Sequence, residues 1–417
     1  MRDPVEIIKT VAKDTSPFLH PLILHYWMNI FGTSEVAIRS LSFIFYFLTV
    51  VTAYFIGKTI ENKKTGLLVA LMVVVNPFLF AYAFEGRMYS LLLFTSTLST
   101  YFFLTRKPWL HALATAAALY THHFSLTVIG IQGIWTFFQA LTLPKKSNFV
   151  KSIFSRYWSF GLALLIYSPW LPTLYQQTQM VISGFWLPKP SFSDLTGLYS
   201  SFVIGSHEGI VRLILLGLVG TILIFRKWRQ NKWQYWFCLS WFLIPTFLVW
   251  LFSQFKQSIF FDRYLLASIP GGLFFLVSRR RGWYSLAPII LLMVFLFWYD
   301  WQYFGNPTRR PFRELADYVK QTRQPGDELV NWNTTAHHLW ELKYYQIPAP
   351  IYADGVTELP FFVGTALMQT GDIIQKLPNA PRLGIIYSGD PGMIEVDNYE
   401  IMEEKKFGDL TFQWWRF

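Results

Sequence analysis

The chain has a single cysteine, Cys238, in 417 residues, so no disulfide can form within it. Charge is scarce too: 15% of residues are Asp, Glu, Lys or Arg, against 53% hydrophobic and 19% aromatic. So little charge excludes an ordinary soluble domain and points to a protein that crosses a membrane several times. Acids are the scarcer sign, with 25 Asp and Glu against 36 Lys and Arg and a net charge of +11. A basic excess can mark a nucleic-acid partner, but here Lys and Arg gather in short loops between apolar runs, the pattern that orients membrane spans. No nucleic-acid partner is expected. No internal repeat and no low-complexity segment is visible.

Apolar runs of membrane length predict about ten spans, near 38–57, 66–84, 88–105, 109–122, 123–143, 157–176, 209–225, 233–253, 264–278 and 283–300. Alternate loops carry the positive charge: Lys58, Lys63 and Lys64; Arg106 and Lys107; Lys145, Lys146, Lys151 and Arg156; Arg226, Lys227, Arg229 and Lys232; Arg279, Arg280 and Arg281. By the positive-inside rule these loops face the cytoplasm. The opposite face receives Glu85, His122, the long 177–208 loop, the 256–263 loop and everything after Asp300. This topology puts the N-terminus outside. No leader or first span precedes the Phe18–Phe31 run, which is too short to cross and holds His20 and His25, so it reads as an interfacial or re-entrant helix. A first helix upstream of Met1 is the expectation.

From about Asn306, charge, Pro and Gly return and the apolar runs shorten to strand length. A helix is expected over Pro311–Gln321, with proline at its start. Strands are expected over Glu328–Trp332, Ile351–Asp354 and Leu383–Tyr387, and helical stretches near Ala336–Tyr345 and Thr365–Lys376. The fold class is therefore mainly α: a polytopic membrane helix bundle over residues 1–305, followed by a small extracytoplasmic α/β domain over 306–417.

Four polar features share the outer side. Lys13 and Asp14 precede the short helix at Pro17. Glu85, Arg87 and Tyr89 follow one another at two-residue steps where an apolar run ends. His122 and His123 close a span of about 13 residues, roughly 20 Å long, short of the ~30 Å apolar core, so they are expected in a water-filled recess. Asp262, Arg263 and Tyr264 open another span. Singly, each also reads as an interfacial charge, a cap or a snorkelling anchor. Together they suggest a shared cavity, since ionisable groups near a bilayer persist mainly where they pair, meet water or perform chemistry. Such a cavity suits transfer of a sugar from a lipid phosphate: an arginine or metal stabilises the departing anion, and a carboxylate takes the proton of the acceptor hydroxyl. Phe185, Trp186 and Tyr199 of the long outer loop are candidates to stack on a sugar or cover the lipid.

The ordered segments DTSPFLHPLILHYW, FGTSEVAIRSLS, NPFLFAYAFEGRMYSLL, LYTHHFSL, SPWLPTLYQQ, GFWLPKP and DRYLLASIP resemble bacterial GT-C glycosyltransferases of the protein O-mannosyltransferase and aminoarabinose-transferase group. The resemblance covers about residues 5–300. It implies a polyprenyl-phosphate-linked sugar donor, inversion at the anomeric carbon, and a location in the cytoplasmic membrane with an outer cavity. Glu85, Arg87 and Tyr89 match its E-x-R-x-Y segment, His122 its T-H-x-F histidine, and Arg263 with Tyr264 the R-Y pair that meets lipid phosphate. Asp14 falls near an acidic position that in some relatives helps hold a metal, which makes Asp14 and His122 the candidate ligands of a divalent ion. Relatives also carry an Asp just after their first helix. That position is expected upstream of Met1, and Asp3 lies too close to the loop's proline to match it.

Two alternatives stand beside this reading. One is a truncated or inactive homologue that binds the lipid-linked sugar without transferring it. The other is a transporter, which would carry ionisable groups at mid-span or broken helices in paired halves. The mid-span regions here are nearly free of charge. Neither sugar nor acceptor can be read from the residues.

Overall fold

The computed structural model describes residues 3–141, 149–227, 232–280, 282–305, 310–356, 358–390, 392 and 394–417. Of the loop charges that set the expected orientation, Lys145, Lys146, Arg229 and Arg281 lie outside the described residues. So does Asn306, at the expected domain boundary. The chain forms two compact units, Met1–Gln302 and Tyr303–Phe417.

The described residues of the first unit form helices joined by turns, with one isolated β-bridge between Arg226 and Arg280. Its helices are α1 (Pro4–Val11), α2 (Leu19–Phe31), α3 (Glu35–Ile60), α4 (Lys63–Val74), α5 (Pro77–Tyr82), α6 (Tyr89–Leu104), α7 (Pro108–Thr121) and α8 (Ser125–Leu141). There follow α9 (Phe149–Tyr167), α10 (Leu171–Ser183), α11 (Phe192–Ile204), α12 (Gly209–Ile224), α13 (Trp233–Phe255), α14 (Ile269–Val277) and α15 (Ala287–Gly305). Among the described residues, three helical stretches are long and apolar enough to cross a membrane: Glu35–Ile60, Trp233–Phe255 and Trp283–Gln302. A fourth exists if α11 and α12, bent by 71° at their junction, count as one span. Helix length alone therefore carries fewer spans than the ten read from hydropathy. The shortfall has local causes.

The 66–84 run is not one helix, because Asn76 and Pro77 divide it. The Asn76 side chain accepts from the Leu79 N–H at 3.0 Å and so caps α5, with proline at the first helical position. Its amide also donates to the Phe202 carbonyl at 2.9 Å, tying the break to α11. The expected span at 264–278 begins with two 3₁₀ turns, Asp262–Tyr264 and Leu266–Ser268, which leave nine α-helical residues in α14. The segment read as a long outer loop, 177–208, instead holds the end of α10 and all of α11. A Ser191–Asp194 capping box starts α11, a signal present in the sequence.

The α3–α4 hairpin packs closely because two glycines meet. A Cβ on Gly57 would lie 2.7 Å from Gly66 Cα, and one on Gly66 would lie 2.5 Å from the Tyr54 carbonyl oxygen. Small residues that let helix backbones approach are the usual source of packing between membrane helices. The core around this hairpin includes Ile56, Met72, Val73, Leu92, Phe202, Trp241 and Phe274, all under 3% exposed.

The second unit carries α16 (Phe312–Thr322), β1 (Glu328–Asn331), α17 (Leu339–Tyr344), β2 (Ile351–Tyr352), β3 (Ile373–Ile374), β4 (Arg382–Ser388), β5 (Glu400–Phe407) and β6 (Leu410–Arg416). They form a six-stranded sheet in the order β3-β2-β1-β4-β6-β5. The β1–β2, β2–β3 and β1–β4 pairs are parallel, while β4–β6 and β5–β6 are antiparallel. The apolar face of α16 (Phe312, Leu315, Val319) meets Phe412 and Trp414 of β6. The expected helix over Thr365–Lys376 does not form. Gly364 and Gly371 take left-handed φ values of 87° and 93°, leaving one 3₁₀ turn, Thr365–Leu367, before β3.

Candidate functional site

The break after α5 creates the turn that carries the first three candidate residues. Gly86, at φ 74°, reverses the chain between Glu85 and Arg87, and α6 then starts at Tyr89. Glu85 Oε1 comes 4.0 Å from Arg263 Nη1, which belongs to the 3₁₀ turn before α14. Two cations approach the Tyr89 ring: the Arg87 guanidinium is 5.2 Å and the Arg263 guanidinium 5.4 Å from its centroid. Aromatic faces attract cations at this range. Arg263 also sits 4.3 Å over Phe261, whose ring meets Trp186 edge-on at 5.2 Å.

Tyr89 is fully buried, and its hydroxyl has no hydrogen-bond partner among the described residues. Buried hydroxyls are ordinarily paired, so an orphan calls for an explanation. His122, the C-cap of α7, packs 5.0 Å from Tyr264 and 6.3 Å from Tyr89. The Phe124 N–H donates to His122 Nδ1 at 3.2 Å, so the neutral ring carries its proton on Nε2 and presents it as a donor.

Asp14 follows α1 and accepts from the Thr15 N–H at 2.7 Å. Its carboxylate is within electrostatic reach of Tyr264, and His20 is within reach of Arg87. The segment bearing Asp14 is pinned from behind: Gln177 of α10 donates to the carbonyls of Val11 and Ser16 at 3.3 Å and meets His123 Nε2 at 2.9 Å. Asp262 accepts from the Arg263 N–H at 2.6 Å. Burial pushes its carboxyl pKa up, and the Arg263 N–H and charge oppose that.

The structure thus brings Glu85, Arg87, Tyr89, His122, Arg263 and Tyr264 together, with Asp14 within electrostatic reach of Tyr264. Asp3 is elsewhere, exposed and capping α1. Of the three aromatic candidates, Trp186 joins the cluster through Phe261. Tyr199 does not: it packs on Phe242, and its hydroxyl donates to the Leu243 carbonyl. Tyr82, 5.4 Å from Tyr89, and Gln177 are participants the sequence reading missed. For divalent metal the donor set falls short. Among the described residues no group of three or more His, Cys, Asp or Glu could hold an ion, so Asp14 and His122 lack a third ligand.

Residues 15–172 match the family model described as dolichyl-phosphate-mannose-protein mannosyltransferase. The match takes in Glu85, Arg87, Tyr89 and His122, begins one residue after Asp14 and ends before Arg263 and Tyr264. The fold is similar to the crystal structure of ArnT from Cupriavidus metallidurans in the apo state, with a TM-score of 0.59 and 12% sequence identity, covering 96% of this chain and 87% of that one. At that identity the likeness is one of fold. No curated protein matches the chain. The GT-C resemblance carried by the motifs is borne out by both the family match and the fold.

Proposed function

We propose that the protein is a multi-pass glycosyltransferase of the cytoplasmic membrane that moves a sugar from a polyprenyl-phosphate donor to an acceptor, with inversion. The supporting observation is the convergence of two guanidiniums, Arg87 and Arg263, on the buried Tyr89, with a carboxylate beside them. A dianionic leaving phosphate needs that kind of fixed positive charge more than it needs an acid. The family match and the fold of ArnT point to the same chemistry.

In this reading the acceptor oxygen attacks the anomeric carbon from the face opposite the phosphate. The carbon–oxygen bond to phosphate breaks, and its electron pair leaves on polyprenyl phosphate, where Arg263 and Arg87 stabilise the charge. The proton of the acceptor hydroxyl passes to Asp14. Glu85 is committed to Arg263 and acts as a positioning residue. The orphaned Tyr89 hydroxyl and the His122 Nε2–H are donors for the bound sugar or phosphate. The apolar helices that fall short of a full span complete a set of about ten crossings, and the chain after Asp300 is assigned to the extracytoplasmic side by the alternation of basic loops.

The test uses the purified chain in neutral nanodiscs, loaded with a polyprenyl-phosphate-linked sugar. Wild type is expected to retain the donor and Arg87→Ala to lose it while staying in the membrane. Equal retention by both would reduce Arg87 to an interfacial charge, for which an exposed ion pair contributes about 0–1 kcal/mol. Reporter fusions after Arg281 and after Asn306 are expected on opposite sides of the membrane; the same side for both would overturn the topology.

A further inference from the structure

A cavity of about 320 Å³ lies at the far end of α6 and α7 from Glu85. The 16 residues of α6 put that end about 24 Å from Tyr89 at 1.5 Å per residue, a distance on the scale of the bilayer's apolar core. Arg106 and Lys107 form the rim in the α6–α7 turn, both exposed, and among the described residues that line the cavity none is acidic.

The floor is polar but neutral. His111 is 2% exposed, with Nδ1 3.0 Å from the Ser159 hydroxyl and Nε2 2.9 Å from Gln132 Oε1. Gln132 spends its amide on Thr100, at 3.1 Å, so its carbonyl oxygen accepts from His111 Nε2–H and His111 Nδ1 accepts from Ser159. Both ring nitrogens of His111 are thereby satisfied without charge. The two rim cations consequently face no counter-charge within the cavity. Phe103, Phe160 and Trp233 supply an apolar wall.

Two uncompensated cations over a neutral hydrogen-bonding floor select an anion, and the aromatic wall selects one with an apolar portion. The volume is at the small end for ligand pockets, about 300–1,000 Å³, which fits a headgroup rather than a whole nucleotide. We propose that this cavity binds a phosphate group, carried by an anionic lipid of the leaflet opposite the Glu85–Arg263 site. The inference rests on the membrane reading above and is independent of sugar transfer. Its consequence is mechanical: an occupant grips the far ends of the two helices that position Tyr89 and His122.

The test is native mass spectrometry of the full chain in neutral detergent, with dioctanoyl phosphatidic acid and inorganic phosphate as separate probes. One tight equivalent of the lipid is expected. The double variant Arg106→Gln/Lys107→Gln is expected to weaken it roughly 25-fold, at about fivefold per basic residue. Lys227→Gln, an exposed cation in another basic loop, is expected to leave it unchanged. Competition by inorganic phosphate at similar concentration would show that the phosphate alone is recognised; lipid binding without such competition would show that the apolar wall is needed as well. Absence of a stoichiometric complex with either probe, or equal weakening by Lys227→Gln, would overturn the proposal.

Discussion

Glu85 and Arg263, from turns at the ends of different helices, meet at 4.0 Å with both side chains about four-fifths buried or nearly so, 16% and 24% exposed. At that separation the carboxylate orients the guanidinium without closing a short hydrogen bond, which leaves the arginine's planar fork available to a phosphate. Glu85→Gln keeps the shape and removes the charge. Transfer is expected to slow by about 10²-fold, the cost of a modest misplacement of a catalytic group, while donor affinity changes less than about tenfold. Steady-state transfer and donor-binding assays separate the two effects. Transfer at the wild-type rate would leave Glu85 with a structural role only.

The unpartnered Tyr89 hydroxyl gives a prediction of opposite signs for stability and activity. An unsatisfied buried polar group costs about 1–3 kcal/mol, so Tyr89→Phe is expected to melt at the same temperature as wild type or higher. If the hydroxyl is kept for the bound donor, the same variant transfers sugar more slowly. A variant that is less stable and fully active would show that the hydroxyl has a structural partner instead.

The site is legible in the sequence where its signals are local. The E-x-R-x-Y turn, the histidine at the end of α7 and the R-Y pair before α14 are each short-range patterns, and all three are visible in the sequence. Their union around Tyr89 was expected only from the topology, and Arg263 comes from far along the chain. Gln177 closes the SPWLPTLYQQ segment, but the segment does not single it out; its role exists only once α10 lies against Val11 and Ser16. Helix breaks were the weak point of the hydropathy reading, since Asn76–Pro77 and the 3₁₀ turns near Tyr264 interrupt runs whose apolar character is continuous. β5 (EIMEEKKF) carries no strand signal because seven of its eight residues are exposed and charge breaks the alternation of a half-buried strand.

In the C-terminal unit His338 provides a pH test. It is 3% exposed and bonded to Ser388 at 2.7 Å; burial, reinforced by the Arg310 guanidinium, lowers its pKa to about 4. The unfolded chain takes up this proton near 6.5, so below that pH it binds more protons than the folded unit and stability falls. The contribution is complete above pH 6.5 and is lost progressively down to about pH 4. Protection factors of the β1 and β4 amides in the full chain, taken against the slower intrinsic exchange at lower pH, are expected to fall over that window in wild type, and much less in His338→Gln. The same pH profile in both would assign the acid sensitivity to other groups.

The central claim is that the cluster around Tyr89 receives a lipid-linked phosphate through Arg263. Arginine suits that task because it stays charged when partly desolvated and offers paired donors, which lysine cannot reproduce. Affinity for a polyprenyl-phosphate sugar, measured in nanodiscs for wild type, Arg263→Lys and Arg263→Ala, tests it most directly. The expected order is a clear weakening in Arg263→Lys and a larger one in Arg263→Ala. Equal affinity in all three would contradict the account and leave Arg263 as an anchor at the membrane interface, a place where either basic side chain serves.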